Sequence, residues 1–217
     1  MAQRHEEKFL IDYRQYLLLK QRAEQVLKAD IHGGSYVITS LYYDDLQDTA
    51  LLEKQDGLAR HTKFRLRTYD YSRKTVHLER KVKEGVLTQK RSAAVAPEAI
   101  SQLGKTTAPF QGEAYELASQ MVAAGLRPAV TVRYRRDAFY LPNTDVRLTF
   151  DTKLEALPAA EEMLFEDCCG IPVLDGNTVI MELKYGSYLP RMVRLLTSVP
   201  SRQLSVSKYA LCREKFI

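Results

Sequence analysis

The sequence predicts an α+β fold dominated by antiparallel hairpins, and three observations lead there. Seven or eight segments combine β-branched and aromatic residues with period-two alternation. Several are joined by short turns such as Glu84-Gly85 and the run Pro142, Asn143, Thr144 and Asp145, and only antiparallel neighbours allow connections that short. A few separate stretches carry helical spacing, so helices stand apart from the strands and do not alternate with them. At 217 residues and 45% hydrophobic content the chain can bury a core. Low-complexity tracts, Gly/Ser linkers and repeats of fixed period are absent, which predicts a single domain over residues 1–217.

In order, residues 4–12 read as a short strand with Arg4, Glu6 and Lys8 on one face. Residues 13–29 read as a helix capped by Asp12, with Tyr13, Tyr16, Leu17, Ala23, Val26 and Leu27 at helical spacing. Gly33-Gly34 breaks the chain before the strand Y-V-I-T-S-L-Y-Y-D-D. A turn over Gln55 to Gly57 leads into K-F-R-L-R-T-Y at 63–69. T-V-H-L-E-R-K-V-K at 75–83 and V-L-T-Q-K-R-S-A-A-V form the next hairpin. Residues 97–105 and 112–124 read as helices ending at Gly104 and Gly125. Strands resume with A-V-T-V-R-Y-R-R-D-A-F-Y-L, V-R-L-T-F-D and, at 179–185, V-I-M-E-L-K-Y. Pro190 opens a short helix with M-V-R-L-L as its apolar face. A last helix starts at Ser205 or Ser207 and carries Val206, Tyr209, Ala210 and Phe216.

Lysine and arginine exceed aspartate and glutamate by five, a basic balance that suits an anionic ligand, nucleic acid or an acidic membrane surface equally well. Cys168, Cys169 and Cys212 are odd in number and lack zinc spacing, and the N-terminus is charged from its fourth residue. No run of 18 apolar residues occurs. These features predict a cytoplasmic protein without a disulfide framework, a signal peptide or a membrane span.

The polar faces of the strands are unusually charged. Lys63, Arg65 and Arg67 share one parity, as do Glu79, Lys81 and Lys83, then Arg147, Thr149 and Asp151, then Glu182 and Lys184. In Y-R-R-D-A-F either Arg133 and Arg135 or Tyr134 and Arg136 belong to the set. Cations two apart on a strand stand about 6–7 Å from each other, and each pair repels by roughly 2 kcal/mol at an effective dielectric near 20. An outward parity makes these solvated faces with ion pairs between strands. An inward parity makes a cationic lining that requires a polyanion, with Glu6, Glu79 and Glu182 available to a hard divalent ion.

The motifs R-x-E-x-K-F, S-L-Y-Y-D-D, K-F-R-L-R-T-Y, E-R-K-V-K, Y-R-R-D-A-F, V-R-L-T-F-D-T, M-E-L-K-Y and S-V-S-K-Y resemble, in this order, the VTC domain of the triphosphate tunnel metalloenzyme superfamily. The resemblance runs from residue 4 to about residue 210. It implies a closed antiparallel eight-stranded β-barrel, a tunnel with helices packed outside. It also implies transfer of the ATP γ-phosphoryl group onto inorganic polyphosphate, with Mn2+ or Mg2+. On matching motif positions, Lys8, Arg65, Arg67, Lys81, Arg136 and Arg147 are the catalytic cations that hold phosphate. Lys90 or Arg91, Tyr134, Lys184, Ser207 and Lys208 contribute to substrate binding, and Glu182, Glu6 and Glu79 are the metal carboxylates. Lys63 lies outside the part of the motif that can be carried over.

The superfamily commonly opens with E-x-E-x-K, and Arg4 stands where a second carboxylate is usual, which favours transfer or binding over two-metal hydrolysis. A triphosphate or short-chain polyphosphate hydrolase and a non-catalytic polyphosphate-binding module remain the alternatives. Polymer export would require a membrane-protein partner to supply the channel. A nucleic-acid partner is not expected, because the basic strands lack an aromatic stacking platform.

Overall fold

The computed structural model describes residues 5–85, 87–199, 202–203 and 206–217, with the backbone only at 202–203. Arg4, Val86 and Ser205, which the sequence places in strands or at a helix start, lie outside the described residues. In chain order the strands are β1 (His5–Asp12), β2 (Lys28–Ala29), β3 (Ser35–Asp44), β4 (Arg60–Tyr69), β5 (Val76–Glu84), β6 (Leu87–Val95), β7 (Arg127–Tyr140), β8 (Arg147–Leu157), β9 (Ile171–Pro172), β10 (Thr178–Tyr185) and β11 (Arg202–Gln203). The α-helices are α1 (Tyr13–Val26), α2 (Thr49–Gln55), α3 (Gly112–Ala123), α4 (Arg191–Leu196) and α5 (Lys208–Arg213).

The strands form one large antiparallel sheet in the order β11-β1-β10-β8-β7-β3-β4-β5-β6, with β2 on β7 and β9 on β8. Among the described residues eleven strands replace the expected seven or eight, because three two-residue strands carry too little pattern to be read. The hydrogen-bonded order has two ends, so the closed eight-stranded barrel is not shown by backbone pairing. Contacts divide the chain into two compact units, and β7 and β8 run through both.

The first unit comprises Met1–Tyr36, Tyr134–Leu154 and Leu174–Val206. Its core joins Ile11, Leu148, Phe150, Val179, Met181 and Leu183 of the sheet to Tyr16, Leu19 and Ala23 of α1 and to Val193 and Leu196 of α4. Asp12 caps α1 as expected, its carboxylate accepting from Gln15 N at 2.8 Å while Gln15 Oε1 accepts from Asp12 N. The buried stripe of α1 is Tyr16, Leu19 and Ala23, whereas Tyr13, Leu17 and Val26 are exposed. The helix stops at Val26, and Lys28–Ala29 pairs with β7 where helix was expected to continue.

The second unit comprises Val37–Arg133, Glu155–Val173 and Ser207–Ile217. Leu41, Phe64, Leu66, Val76, Leu78 and Val95 pack against Ala114, Leu117, Ala118 and Met121, the i, i+3, i+4, i+7 face of α3. Residues 97–102 form a 3-10 turn opened by Pro97, shorter than the expected helix. Gly104 is irreplaceable on two counts: its φ is +76°, and a Cβ would lie 2.2 Å from Leu126 O. The unread helix α2 owes its start to a distant side chain, since the buried Asp44 carboxylate accepts from Ala50 N and Leu51 N.

Candidate functional site: two charged sheet faces

Register decides which charges meet. In the second unit Tyr42 pairs with Arg65 and Ser40 with Arg67. Across the next ladder Lys63 pairs with Lys81 and Arg65 with Glu79, and beyond it Lys81 pairs with Lys90 and Glu79 with Ser92. Directly opposed residues share a face, so Lys63, Arg65, Arg67, Lys81 and Lys90 stand together. They lie opposite the apolar parity of Leu41, Leu66 and Leu78, which faces α3. The carboxylates set among these cations are Glu79 and, at the end of β3, Asp44, which is bonded to Tyr209 Oη and the start of α2. Lys83, opposite His61, shares the face as well, so six cations among the described residues are gathered on it, and Arg65, Arg67 and Lys90 converge on Glu79.

Glu79 organises the row. Arg65 donates to it through Nε at 2.7 Å and to Tyr42 Oη through Nη1 at 2.8 Å. Lys90 pairs with its other oxygen, and Arg67 Nη1 stands 3.9 Å away while its Nε donates to Ser40 Oγ at 3.3 Å. Burial alone would raise the Glu79 pKa; Arg65, Arg67 and Lys90 outweigh it and bring the carboxyl down to about 2. Lys63, whose role the motif left open, donates to Ser207 Oγ at 2.9 Å and sits 5.0 Å from the Tyr209 ring centroid. Ser207 Oγ also accepts from Ala210 N, so it caps α5 and holds Lys63 at once.

In the first unit Lys8 pairs with Glu182, Glu6 with Lys184, Lys184 with Arg147, and Glu182 with Thr149. Lys184 Nζ lies 2.5 Å from Glu182 and 3.9 Å from Glu6, and Lys8 lies 3.2 Å from Glu6. Arg136 forks onto Asp151 at 2.6 and 2.7 Å, stands 4.0 Å from Glu182, and lies over the Tyr134 ring. Burial would lower its pKa, but Asp151 more than compensates and holds the guanidinium firmly charged. Arg147 reaches Asp30 at 2.7 Å. Lys8, Arg136, Arg147 and Lys184 thus meet Glu6, Asp30, Asp151 and Glu182 in equal number, unlike the cation-rich face of the second unit.

Of the two open pairs, the structure puts Tyr134 and Arg136 with the charged set. Arg135 is exposed. Arg133 is buried and donates to the carbonyls of Met163, Glu166 and Cys168 at 2.6–2.8 Å. Arg91 also falls outside the set: it pairs across strands with Arg80 on the helix-facing side and binds Glu113 and Glu116 at 2.5 Å. Of the alternatives Lys90 and Arg91, only Lys90 is on the charged face. Lys208 begins α5 beside the Ser207 cap. Tyr42, Ser40 and Asp151 hold the cations in place and were assigned no role from sequence; Tyr42 and Ser40 share the parity that pairs with Arg65 and Arg67.

Among the described residues no three His, Cys, Asp or Glu side chains converge as a metal cluster. A Mg2+-like ion does not need one, since it binds through one or two carboxylates plus phosphate oxygens. Glu6 and Glu182, both on the ammonium of Lys184, suit that arrangement. Glu79, like Glu6 and Glu182, already has a cation at each oxygen, so at any of the three a divalent ion would have to displace an ammonium or guanidinium group. No helix among the described residues is long and apolar enough to cross a membrane.

A family model described as the VTC domain matches residues 3–217. No curated protein matches the chain. Among solved structures, a candidate adenylate cyclase from Vibrio parahaemolyticus is similar at 13% identity, with 97% of each chain covered and a TM-score of 0.55. A protein from Pyrococcus horikoshii OT3 is similar at 12% identity, covering 98% of this chain and 97% of its own, with a TM-score of 0.52. At these identities the likeness concerns the fold.

Proposed function

Because the chain belongs to the VTC domain family, we propose that it is a metal-dependent polyphosphate polymerase that transfers the γ-phosphoryl group of ATP onto inorganic polyphosphate. The observation that carries this reading is the row of cations on one sheet face, where register sets Lys63, Arg65, Arg67, Lys81, Lys83 and Lys90 side by side and three of them converge on Glu79. A polyanion with a charge every few ångströms is the ligand such a row fits. The closed eight-stranded tunnel is part of the same proposal.

Phosphoryl transfer asks the protein chiefly to align donor and acceptor and to stabilise charge on the moving group. The P–O bond to ADP breaks as a P–O bond forms to the terminal oxygen of the polymer, and ADP leaves. Arg65, Arg67, Lys81 and Lys90 hold phosphate oxygens on the cation-rich face, with Tyr42, Ser40 and Glu79 fixing the guanidinium directions. Ser207 and Lys208 contribute beside Lys63. On the balanced face Lys8, Arg136, Arg147 and Lys184 bind phosphate, Glu182 and Glu6 are the carboxylates that would hold the divalent ion, and Tyr134 supports Arg136 from beneath. The ion, Mg2+ or Mn2+, supplies charge neutralisation on the phosphoryl oxygens. Product analysis tests the reading: purified protein with ATP and Mn2+ or Mg2+ should yield ADP and polymer longer than triphosphate. Orthophosphate as the sole product from ATP and triphosphate would overturn it in favour of hydrolysis, and tight polyphosphate binding without turnover would leave only a binding module.

A further inference from the structure

Thr149 lies at the centre of the balanced face. It is directly opposite Glu182 on β10, with Arg147 and Asp151 two residues away on either side along β8. Leu148 and Phe150, its neighbours in sequence, point the other way into the core against α1 and α4. Thr149 is 4% exposed, and its hydroxyl has no hydrogen-bond partner among the described residues. A buried hydroxyl without a partner costs free energy that a valine of the same shape would not. Valine also suits a strand at least as well. Tyr43 also has an unpartnered hydroxyl, but it sits within the apolar cluster of the second unit. Thr149 differs in facing charges: Lys184 and Arg136 reach Glu182 across from it, and Arg147 shares its strand face.

We propose that the Thr149 hydroxyl is a phosphate-positioning donor, which gives its hydrogen to an oxygen of a condensed phosphate held by Arg136, Arg147 and Lys184. The inference rests on the phosphate-binding reading above and adds a residue to it. The geometry explains why a neutral donor belongs there. The four cations of this face are matched by carboxylates, so they attract phosphate without fixing which oxygen goes where. A hydroxyl held by a stiff β-branched side chain has few rotamers and fixes one oxygen by direction. It adds no charge that would compete with Glu182 for the neighbouring cations.

The test compares wild type, Thr149→Val and Thr149→Ser by calorimetric titration with sodium tripolyphosphate and by thermal unfolding without ligand. Thr149→Val should bind about tenfold more weakly, the loss of one charge-assisted hydrogen bond, while its ligand-free midpoint rises by about 2–4 °C. Thr149→Ser should bind within about threefold of wild type, because it keeps the donor. Equal binding by Thr149→Val and wild type overturns the inference while leaving the phosphate reading intact. A ligand-free midpoint that falls in Thr149→Val and is restored by Thr149→Ser also overturns it, since the hydroxyl would then serve the fold. Wild type that fails to bind tripolyphosphate removes the phosphate reading, and this inference with it.

Discussion

Replacing Glu79 by Gln removes the carboxylate that Arg65, Arg67 and Lys90 share while keeping its shape. Burial penalises the charged form, yet the three cations bring the pKa from 4.5 down to about 2. That difference corresponds to about 3 kcal/mol of native-state stabilisation. The group is 4% exposed, so solvent screening takes little from this figure. The pKa is depressed on folding, so the contribution is fully present above the unfolded value near 4.5 and is lost as pH falls from there through 2. At pH 7, Glu79→Gln should therefore unfold about 6–12 °C lower than wild type without ligand. The gap between the two proteins should close as the pH is lowered from about 5 to about 2.

Ligand should act in the opposite direction. Tripolyphosphate supplies the anion that the variant lacks, and in wild type it competes with Glu79 for the same guanidinium groups. Glu79→Gln should bind tripolyphosphate about tenfold or more tightly, and saturating ligand should raise its midpoint more than that of wild type. Urea or thermal unfolding with and without ligand reads both effects. An unchanged ligand-free midpoint, or binding no tighter than wild type, would refute the view that Glu79 holds a phosphate-binding row in place.

Arg136→Ala should destabilise the protein by about 3–5 kcal/mol, because it leaves Asp151 buried and unpaired; urea unfolding checks this, and Arg136→Lys should restore only part, having lost the fork. Arg65→Ala should weaken tripolyphosphate binding by about 10–100-fold, whereas Arg91→Ala should leave it within about twofold because Arg91 binds α3 on the opposite face. Calorimetric titration separates the two, and equal losses would contradict the register. Burial pushes the Cys212 thiol up to about 12, so a thiol reagent near pH 8 should spare it in the native protein and label it after unfolding.

The parity of most strands, though not of Y-R-R-D-A-F, was legible because it is a local, period-two property. Phe64, Leu66, Leu148 and Leu183 alternate visibly with charge, and each packs under helices as the alternation requires. Register was not legible, because it depends on which strand lies alongside. Lys90 and Arg91 are adjacent and equally basic, and only the pairing of Lys90 with Lys81 and of Arg91 with Arg80 separates them. The same holds for α2, a seven-residue helix whose first amides are taken up by Asp44 on another element. The match of Y-R-R-D-A-F to Tyr134 and Arg136 came from resemblance, and the bidentate bond to Asp151 now gives that parity a physical basis.

Pairing between strands also changes the electrostatic problem. From sequence, rows of cations imply mutual repulsion that trimming any one of them would relieve. In the structure the relief is already built in, but unevenly. On the first unit's face Lys8, Arg136, Arg147 and Lys184 each have a carboxylate within 4.0 Å, so removing Arg136 exposes a buried charge and costs stability. On the second unit's face Lys63 and Lys81 oppose each other across the ladder, as do Lys81 and Lys90, and Glu79 is shared among three cations. Under the proposed function, ligand should therefore raise stability more there than on the first unit's face. A polyanion gains most where the protein's own carboxylates are outnumbered, while the balanced face suits a phosphate that arrives with its own divalent ion, whose charge leaves the existing pairs to be exchanged rather than broken.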